Sequence, residues 1–439
     1  MPMPRRARVC PPAGVAATGS AREGGSNRLS PRGPGRGGGW GTCTVDLPLA
    51  MVYFDHAATT PLRPAVLDVL TEEFGRLGNA SSLHGAGRGA RRVVEEAREA
   101  IAESLGCTPN EVVFTSGGTE ADNLAVKGLY WARSAADPAR RRILVGAAEH
   151  HAVLDPARWL ADHQGAVYEE LPVDPSGQVR PETLRAAIER DPADVALVSV
   201  QWANNEVGTV QPIAELAAIA GDHGIPFHTD AVQAVGAEPV DFAGAGVAAL
   251  TLTGHKVGGP VGAGALLLAR GVDPVPVLHG GGQEREVRSG TLTTPLLRGF
   301  ATAVRSAVGE RVDHAARLRA LRADLVDAVS AAVPDVVVNG HPDQRLPGIA
   351  NLTFPGCEGD ALLMLLDARG IECSTGSACS AGVSQASHVL LAMGCPPEAA
   401  RGSLRFSLGH GSTHADIAEL ADAIGPAVQR ARAALDHRR

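Results

Sequence analysis

Thr251-Leu252-Thr253-Gly254-His255-Lys256 closes the apolar run Val247-Ala248-Ala249-Leu250, and how this stretch is read decides the fold. The apolar run reads as a buried strand, so Lys256 lies just past a strand end. Upstream, Ile225-Pro226-Phe227-His228-Thr229 reads as a second strand that ends at Asp230. Lysine and arginine together number 40, yet only Lys127 and Lys256 are lysine. A chain that uses arginine so freely keeps a lysine for what arginine cannot do. A guanidinium stays protonated, whereas an amine can be tuned to neutrality and form an imine. An amine at one strand end and a carboxylate at the next are what pyridoxal 5'-phosphate requires. The amine holds its aldehyde carbon, and the carboxylate keeps its ring nitrogen protonated. Taken singly, a surface lysine and a solvated aspartate are equal readings of these two residues, and the rest of the chain must decide.

Outward from this stretch, residues 64 to about 297 alternate helical and strand-like segments. Helical spacing is seen at 67–74, 90–105, 152–163 and 213–223, and apolar strand-like runs at 111–115, 143–145 and 195–200. Strands separated by helices of about ten residues predict crossover units, hence an α/β domain over 64–300 with a mainly parallel central sheet and helices on both faces. Ligands of such sheets gather at the carboxyl ends of the strands. After about residue 300 the pattern changes. A long helix to about 333 precedes strands at 336–338 and 350–354, and helices follow at 361–369 and 415–435. With residues 51–63, the segment 301–439 reads as a smaller α+β domain.

Composition bounds the function. The chain has 439 residues, 44% hydrophobic and 20% charged, with formal charge −8, which describes an acidic soluble protein. No run of about 18 apolar residues offers a membrane span. Residues 1–50 stand apart, with seven arginines, two acids and the run Pro31-Arg32-Gly33-Pro34-Gly35-Arg36-Gly37-Gly38-Gly39. Such a segment reads as a disordered extension or a mis-assigned start, with Met51 as the true one. A transit peptide fits the arginines, but proline and glycine at this density oppose its amphipathic helix. Without the five net positive charges of residues 1–50, the remainder carries −13, which argues against direct nucleic-acid binding. The seven cysteines have no paired C-x-x-C spacing, so no metal site is expected and free thiols in a reducing cytoplasm are.

Further groups of chemical interest fall at strand ends. Ser116-Gly117-Gly118-Thr119-Glu120 joins a strand to a helix, where exposed N–H groups and the helix dipole attract a phosphate; ordinary glycine-rich turns look the same. Thr253 and His255 offer two more phosphate donors. His150, after the strand at 143–145, can stack on an aromatic cofactor and exchange protons, or simply cap a helix. The amide of an asparagine in Asn204-Asn205 suits a phenolic oxygen. Arg405 lies in an apolar strand-like context and needs a carboxylate, either a substrate's or a structural acid's. Cys373-Ser374-Thr375-Gly376-Ser377-Ala378-Cys379-Ser380-Ala381-Gly382 reads as a mobile loop presenting an exposed thiol, with a bystander cysteine as the alternative.

In this order the pieces resemble the cysteine desulfurases, class V enzymes of pyridoxal-phosphate fold type I, from about Tyr53 to Leu435. The motifs are Tyr53-Phe54-Asp55-His56-Ala57-Ala58-Thr59-Thr60-Pro61, Asn79-Ala80-Ser81-Ser82-Leu83-His84, Thr115-Ser116-Gly117-Gly118-Thr119-Glu120, Glu149-His150 and Asn204-Asn205-Glu206-Val207-Gly208. They continue with His228-Thr229-Asp230-Ala231-Val232-Gln233, Gly254-His255-Lys256, Arg288-Ser289-Gly290-Thr291 and Ser377-Ala378-Cys379. Ala80 stands where proline is usual. The resemblance implies that Lys256 carries the coenzyme, Asp230 pairs with its ring nitrogen and His150 stacks on the ring. Gln233 and Asn205 flank the ring oxygen and substrate. Gly118, Thr119, Thr253 and His255 hold the phosphate, with Thr291 reaching it from the other subunit of a homodimer. Arg405, helped by Asn205, takes the substrate carboxylate, and Cys379 accepts the sulfur.

The setting of Cys379 resembles the long-loop branch. That branch converts L-cysteine to L-alanine and passes a persulfide to sulfur-acceptor proteins, an iron–sulfur scaffold or a tRNA-thiolation enzyme. A class V aminotransferase or a selenocysteine lyase on the same scaffold is the alternative; both would share Lys256 and Asp230, and an aminotransferase would not need Cys379. A non-catalytic scaffold subunit is a third reading, opposed by the intact set Lys256, Asp230, His150 and Arg405.

Overall fold

The structure is a computed structural model and describes residues 51–376 and 386–436. β1 (Val52–Tyr53) comes first, then α1 (Pro64–Phe74) and α2 (Gly85–Leu105). α2 buries Val93, Val94, Ala97, Ile101 and Leu105, while Arg91–Glu95 and Arg92–Glu96 pair one turn apart on its outer side. It begins five residues before the expected 90, because the His84 side chain accepts a hydrogen bond from the Gly87 N–H and caps the first turn. Strand and helix then alternate through β2 (Val112–Thr115), α3 (Gly118–Ala136), β3 (Arg142–Gly146), α4 (His151–Gln164), β4 (Val167–Leu171) and α5 (Pro181–Glu189). The alternation continues with β5 (Val195–Ser199), α6 (Ile213–Asp222), β6 (Phe227–Asp230), α7 (Phe242–Ala245), β7 (Ala249–Thr253) and β8 (Gly264–Leu268).

These strands form a seven-stranded sheet in the order β2-β8-β7-β6-β5-β3-β4. β3 to β7 pair in parallel, whereas β8 runs antiparallel to both β2 and β7. Every residue of β2, β3, β5, β6, β7 and β8 is buried, as sheets covered on both faces require. The strand expected at 247–250 lies two residues further on. Thr251 and Thr253 enter the sheet because their hydroxyls find partners there, in His228 and the Ala263 carbonyl. β4, α5 and β8 are absent from the sequence reading. β4 is a half-exposed edge strand with two glutamates, and its pairing with β3 rather than its composition makes it a strand.

α8 (Thr294–Ala332) runs on to β9 (Val337–Asn339), β10 (Ile349–Thr353), α9 (Gly359–Asp367) and β11 (Ile371–Glu372). α10 (His388–Ala392), α11 (Pro397–Arg401), β12 (Ser403–Ser407) and α12 (His414–Asp436) complete the described chain. β9, β10 and β12 form an antiparallel sheet in the order β12-β10-β9, and β1 pairs in parallel with β11. α8 serves two cores. Leu297, Phe300 and Val304 pack in the core of the large sheet, while Leu318, Leu321, Leu325 and Val329 enter a second one. That second core also takes Phe354, Phe406, Leu420 and Ile424, and it draws in Val52 and Phe54 from the start of the described chain. The Asp55–Thr60 turn between β1 and α1 is thereby held beside Lys256, where the Thr60 N–H donates to the His255 carbonyl.

Candidate active site

Of the strands of the large sheet that point the same way, β2, β3, β5, β6 and β7 each lead to a residue at the same end. From β2, the chain turns through Ser116-Gly117 into α3. Gly117 takes φ 155° and ψ −179°, a backbone essentially reserved for glycine, and no side chain caps the helix. The first-turn N–H groups of this 19-residue helix are therefore available to an anion. Glu120 would repel it. Burial raises that carboxyl, but hydrogen bonds from Arg288 and Ser116 outweigh burial and hold it below the usual range.

Lys256 follows β7, and its Nζ donates to the Ala57 carbonyl and, at 2.6 Å, to that of Ala58. Burial first, and Arg405 second, pull its pKa down to about 8. Asp230 ends β6, buried, and accepts a hydrogen bond from the Val232 N–H at 2.8 Å. Burial pushes its carboxyl up to about 6 against the opposing pull of that bond and of Lys256.

Behind Asp230 lies a buried relay that the sequence reading did not contain. The Ser199 hydroxyl meets His228 Nδ1 at 2.8 Å, and His228 Nε2 meets the Thr251 hydroxyl at 3.1 Å. Thr251 in turn hydrogen-bonds Asp122, which lies 3.6 Å from His228 Nε2. Burial pushes His228 down to about 3, so the ring is neutral. Asp122 is pushed well up, by burial first and by the like charge of Asp230 second. Burial and the charge of Asp230 thus both favour the protonated form of Asp122. The signal for Asp122 in the sequence is spacing: it sits one helical turn after Gly118 and Thr119, on the face that carries the cradle.

His150 caps α4, its Nδ1 accepting from the Ala152 N–H at 3.1 Å. The capping role and the site role coincide, because the residue also lines the cavity described below. His150 is exposed by area, but protein surrounds the ring. Burial first, and Lys256 second, push it down to about 4 and keep it neutral. The preceding Glu149 is buried, accepts from the Gln201 N–H, and leaves its Oε2 without a hydrogen-bond partner among the described residues.

Ten of the twelve residues singled out line one cavity of about 390 Å³: Gly118, Thr119, His150, Asn205, Asp230, Gln233, Thr253, His255, Lys256 and Arg405. Three differ in detail from the roles expected of them. The Gln233 amide donates to the Ala57 carbonyl at 2.8 Å, and the Thr253 hydroxyl to that of Ala263 at 3.2 Å. Arg405, expected to face a carboxylate, already has one: its Nη2 is 2.6 Å from Asp55, and its Nη1 donates to the Asn205 carbonyl at 3.0 Å. Its Nε is buried without a partner among the described residues, so the guanidinium keeps donor capacity for a second carboxylate.

The loop expected to be mobile from Cys373 is anchored at its start. Cys373 is buried, with its thiol pushed up to about 12, mainly by burial, and Ser374 exchanges backbone hydrogen bonds with Arg405. Cys379 lies outside the described residues. Thr291 is exposed and does not line the cavity of its own chain, although Arg288, three residues before it, is tied to Glu120.

The residues present fit pyridoxal phosphate: an uncapped helix start for the phosphate, a near-neutral amine for the aldehyde, and a buried carboxylate for the ring nitrogen. Fold and site together define a pyridoxal-phosphate enzyme of fold type I. Residues 52–420 match the family model for aminotransferase class-V. An IscS-like cysteine desulfurase of Mycobacterium tuberculosis is 57% identical over 385 residues, 88% of this chain and 98% of that one. Cysteine desulfurase IscS of Methanosarcina thermophila is 43% identical over 87% of this chain and 93% of its own length. The solved structure of a NifS-like protein superposes with a TM-score of 0.79 at 33% identity, covering 87% of this chain and all of the other. The chain belongs to the class-V aminotransferase family, and within it to the cysteine desulfurases.

Proposed function

We propose that the protein converts L-cysteine to L-alanine and moves the sulfur onto Cys379 as a persulfide. The observation that carries this reading is Lys256, Asp230, His150 and Arg405 lining a single cavity at the strand ends, with the amine of Lys256 near 8. When bound, the coenzyme supplies a protonated ring that draws electrons from the substrate α-carbon. Gly118 and Thr119 at the start of α3, with Thr253 and His255, hold its phosphate. Asp230 keeps the ring nitrogen protonated, and Gln233 and Asn205 flank the ring oxygen and the substrate.

Arg405 binds the substrate carboxylate and fixes the α-carbon toward Lys256, whose neutral Nζ takes the α-proton. His150, neutral and without charge competition from a second proton, removes the substrate thiol's proton. The Cys379 thiolate then attacks the substrate sulfur. The sulfur–sulfur bond forms as the carbon–sulfur bond breaks, and the bonding pair stays with carbon; one proton completes the methyl group, a second completes the persulfide, and Lys256 returns to the α-carbon the proton it took. Atoms and electrons balance without an outside reductant.

The two cores correspond in this reading to a large domain of 64–300 and a small one of 51–63 with 301–439. Thr291, exposed in its own chain, reaches the phosphate of a second copy in a homodimer. The protein works in the cytoplasm and hands its sulfur to acceptor proteins, an iron–sulfur scaffold or a tRNA-thiolation enzyme. In support, no helix among the described residues is long and apolar enough to cross a membrane. The test is incubation with L-cysteine and quantification of alanine and enzyme-bound persulfide. The parent protein should yield both; Lys256→Ala should yield neither. Persulfide transfer undiminished in Cys379→Ala would refute the assignment.

A further inference from the structure

A second cavity, of about 100 Å³, lies on the far side of Lys256 and shares Ala57, Gln233 and Lys256 with the first. Its wall gathers His56, Arg63, His314 and His410, which the desulfurase reading leaves without a role. They come from three parts of the chain: the β1–α1 connection, the middle of α8, and the turn after β12. This convergence is built. Arg317 on α8 fastens the turn by donating to the carbonyls of Gly409 at 3.0 Å, His410 at 3.1 Å and Ser412 at 2.7 Å. His56 lies so close to Gly409 that a Cβ there would come within 2.1 Å of its Nδ1.

The cluster is rich in nitrogen donors. Arg317 also donates to His314 Nδ1 at 3.4 Å, and since a guanidinium only donates, the proton of that imidazole is on Nε2. The carboxylate that faces the group is Glu310, which is 59% exposed and already pairs with Arg63 at 2.6 Å. Burial, followed by neighbouring positive groups, pushes His56 and His314 down to about 4 and lowers His410 as well. Three imidazoles and the Arg63 guanidinium thus line the cavity, with Arg317 behind His314 and one solvated acid, Glu310, beside them.

We propose that this cavity is a binding site for a small inorganic oxyanion of the phosphate or sulfate type. Its volume of about 100 Å³ admits such an ion. Donors converging from three directions suit a tetrahedral acceptor with several oxygens better than a spherical halide. The bound anion would lie across the wall carried by Lys256, which both cavities share.

The test uses the coenzyme-loaded enzyme, so that the phosphate cradle at α3 is filled, with inorganic phosphate as the probe. Histidine ring resonances are followed by NMR, and binding by calorimetry, at constant ionic strength set with chloride. Saturable binding is expected, with the pKa of His314 and His410 raised by the anion, and the double variant His314→Gln/His410→Gln should weaken it at least about tenfold. Shifts that stay linear in phosphate, or an affinity unchanged in the double variant, overturn the proposal. Should the double variant fail to fold, His410→Gln alone carries the same comparison. Bound-coenzyme absorbance, which a lost anion site does not alter, separates this outcome from failure of the desulfurase reading.

Discussion

At the scale of the residue, the site is a set of buried ionisable groups whose charges are assigned by their neighbours. Asp230 is the clearest case. Its folded-state value of about 6 lies above the free value of 3.8, so ionising it costs the coenzyme-free protein stability. That cost is absent below about pH 4 and is fully present once the pH has risen through about 6. Asp230→Asn removes it. Urea unfolding of the coenzyme-free variant should show it more stable than the parent by up to about 3 kcal/mol at pH 8, the gap closing at pH 4. The same variant should hold the coenzyme more weakly, which absorbance titration reads directly. Lys256 and Asp230 were legible in the sequence as an amine and a carboxylate at strand ends. Asp122 was not, because its role rests on a relay through His228 and Thr251 that unites three separate elements.

At the scale of the element, the turn into α3 that we assign to the phosphate rests on a strand that the sequence reading omitted. β8 enters the sheet between β2 and β7, and Gly264 at its start pairs with Thr115 and with Thr253. A Cβ at Gly264 would lie 2.7 Å from the Cα and carbonyl carbon of Gly117, which are backbone and cannot swing aside. Gly264→Ala should therefore displace the turn into α3. The expected outcome is a loss of about 1–3 kcal/mol in thermal or urea unfolding and coenzyme affinity down by about tenfold. An unchanged coenzyme titration in a folded variant would show that the turn does not depend on this contact. The helices were read more faithfully than the strands. A face such as Val93, Val94, Ala97 and Ile101 announces its period, whereas buried strands have no polar side to mark their limits. Thr251 and Thr253 moved β7 by two residues for that reason.

At the scale of the whole molecule, α8 ties two cores together and holds the β1–α1 connection against Lys256. The position of Thr291 makes the site's completeness a question of assembly. If Thr291 serves the partner's phosphate, mixed dimers of Lys256→Ala and Thr291→Ala chains contain one intact site, and coenzyme should occupy about half of the sites. Mixtures that recover no more than the separate variants would place Thr291 outside the partner's site. The sequence by itself determined the class of fold, through the alternation of apolar runs and helical faces; it offered Lys256 and Asp230 as an amine and a carboxylate at strand ends, and the resemblance to the cysteine desulfurases supplied the roles of the other candidates. Only the tertiary structure decided that burial and Asp230 push Asp122 upward, that Arg405 already has Asp55 as a partner, and that three distant histidines share a cavity. These depend on distances between elements remote in the chain, and charge, unlike periodicity, is settled by what lies nearby in space.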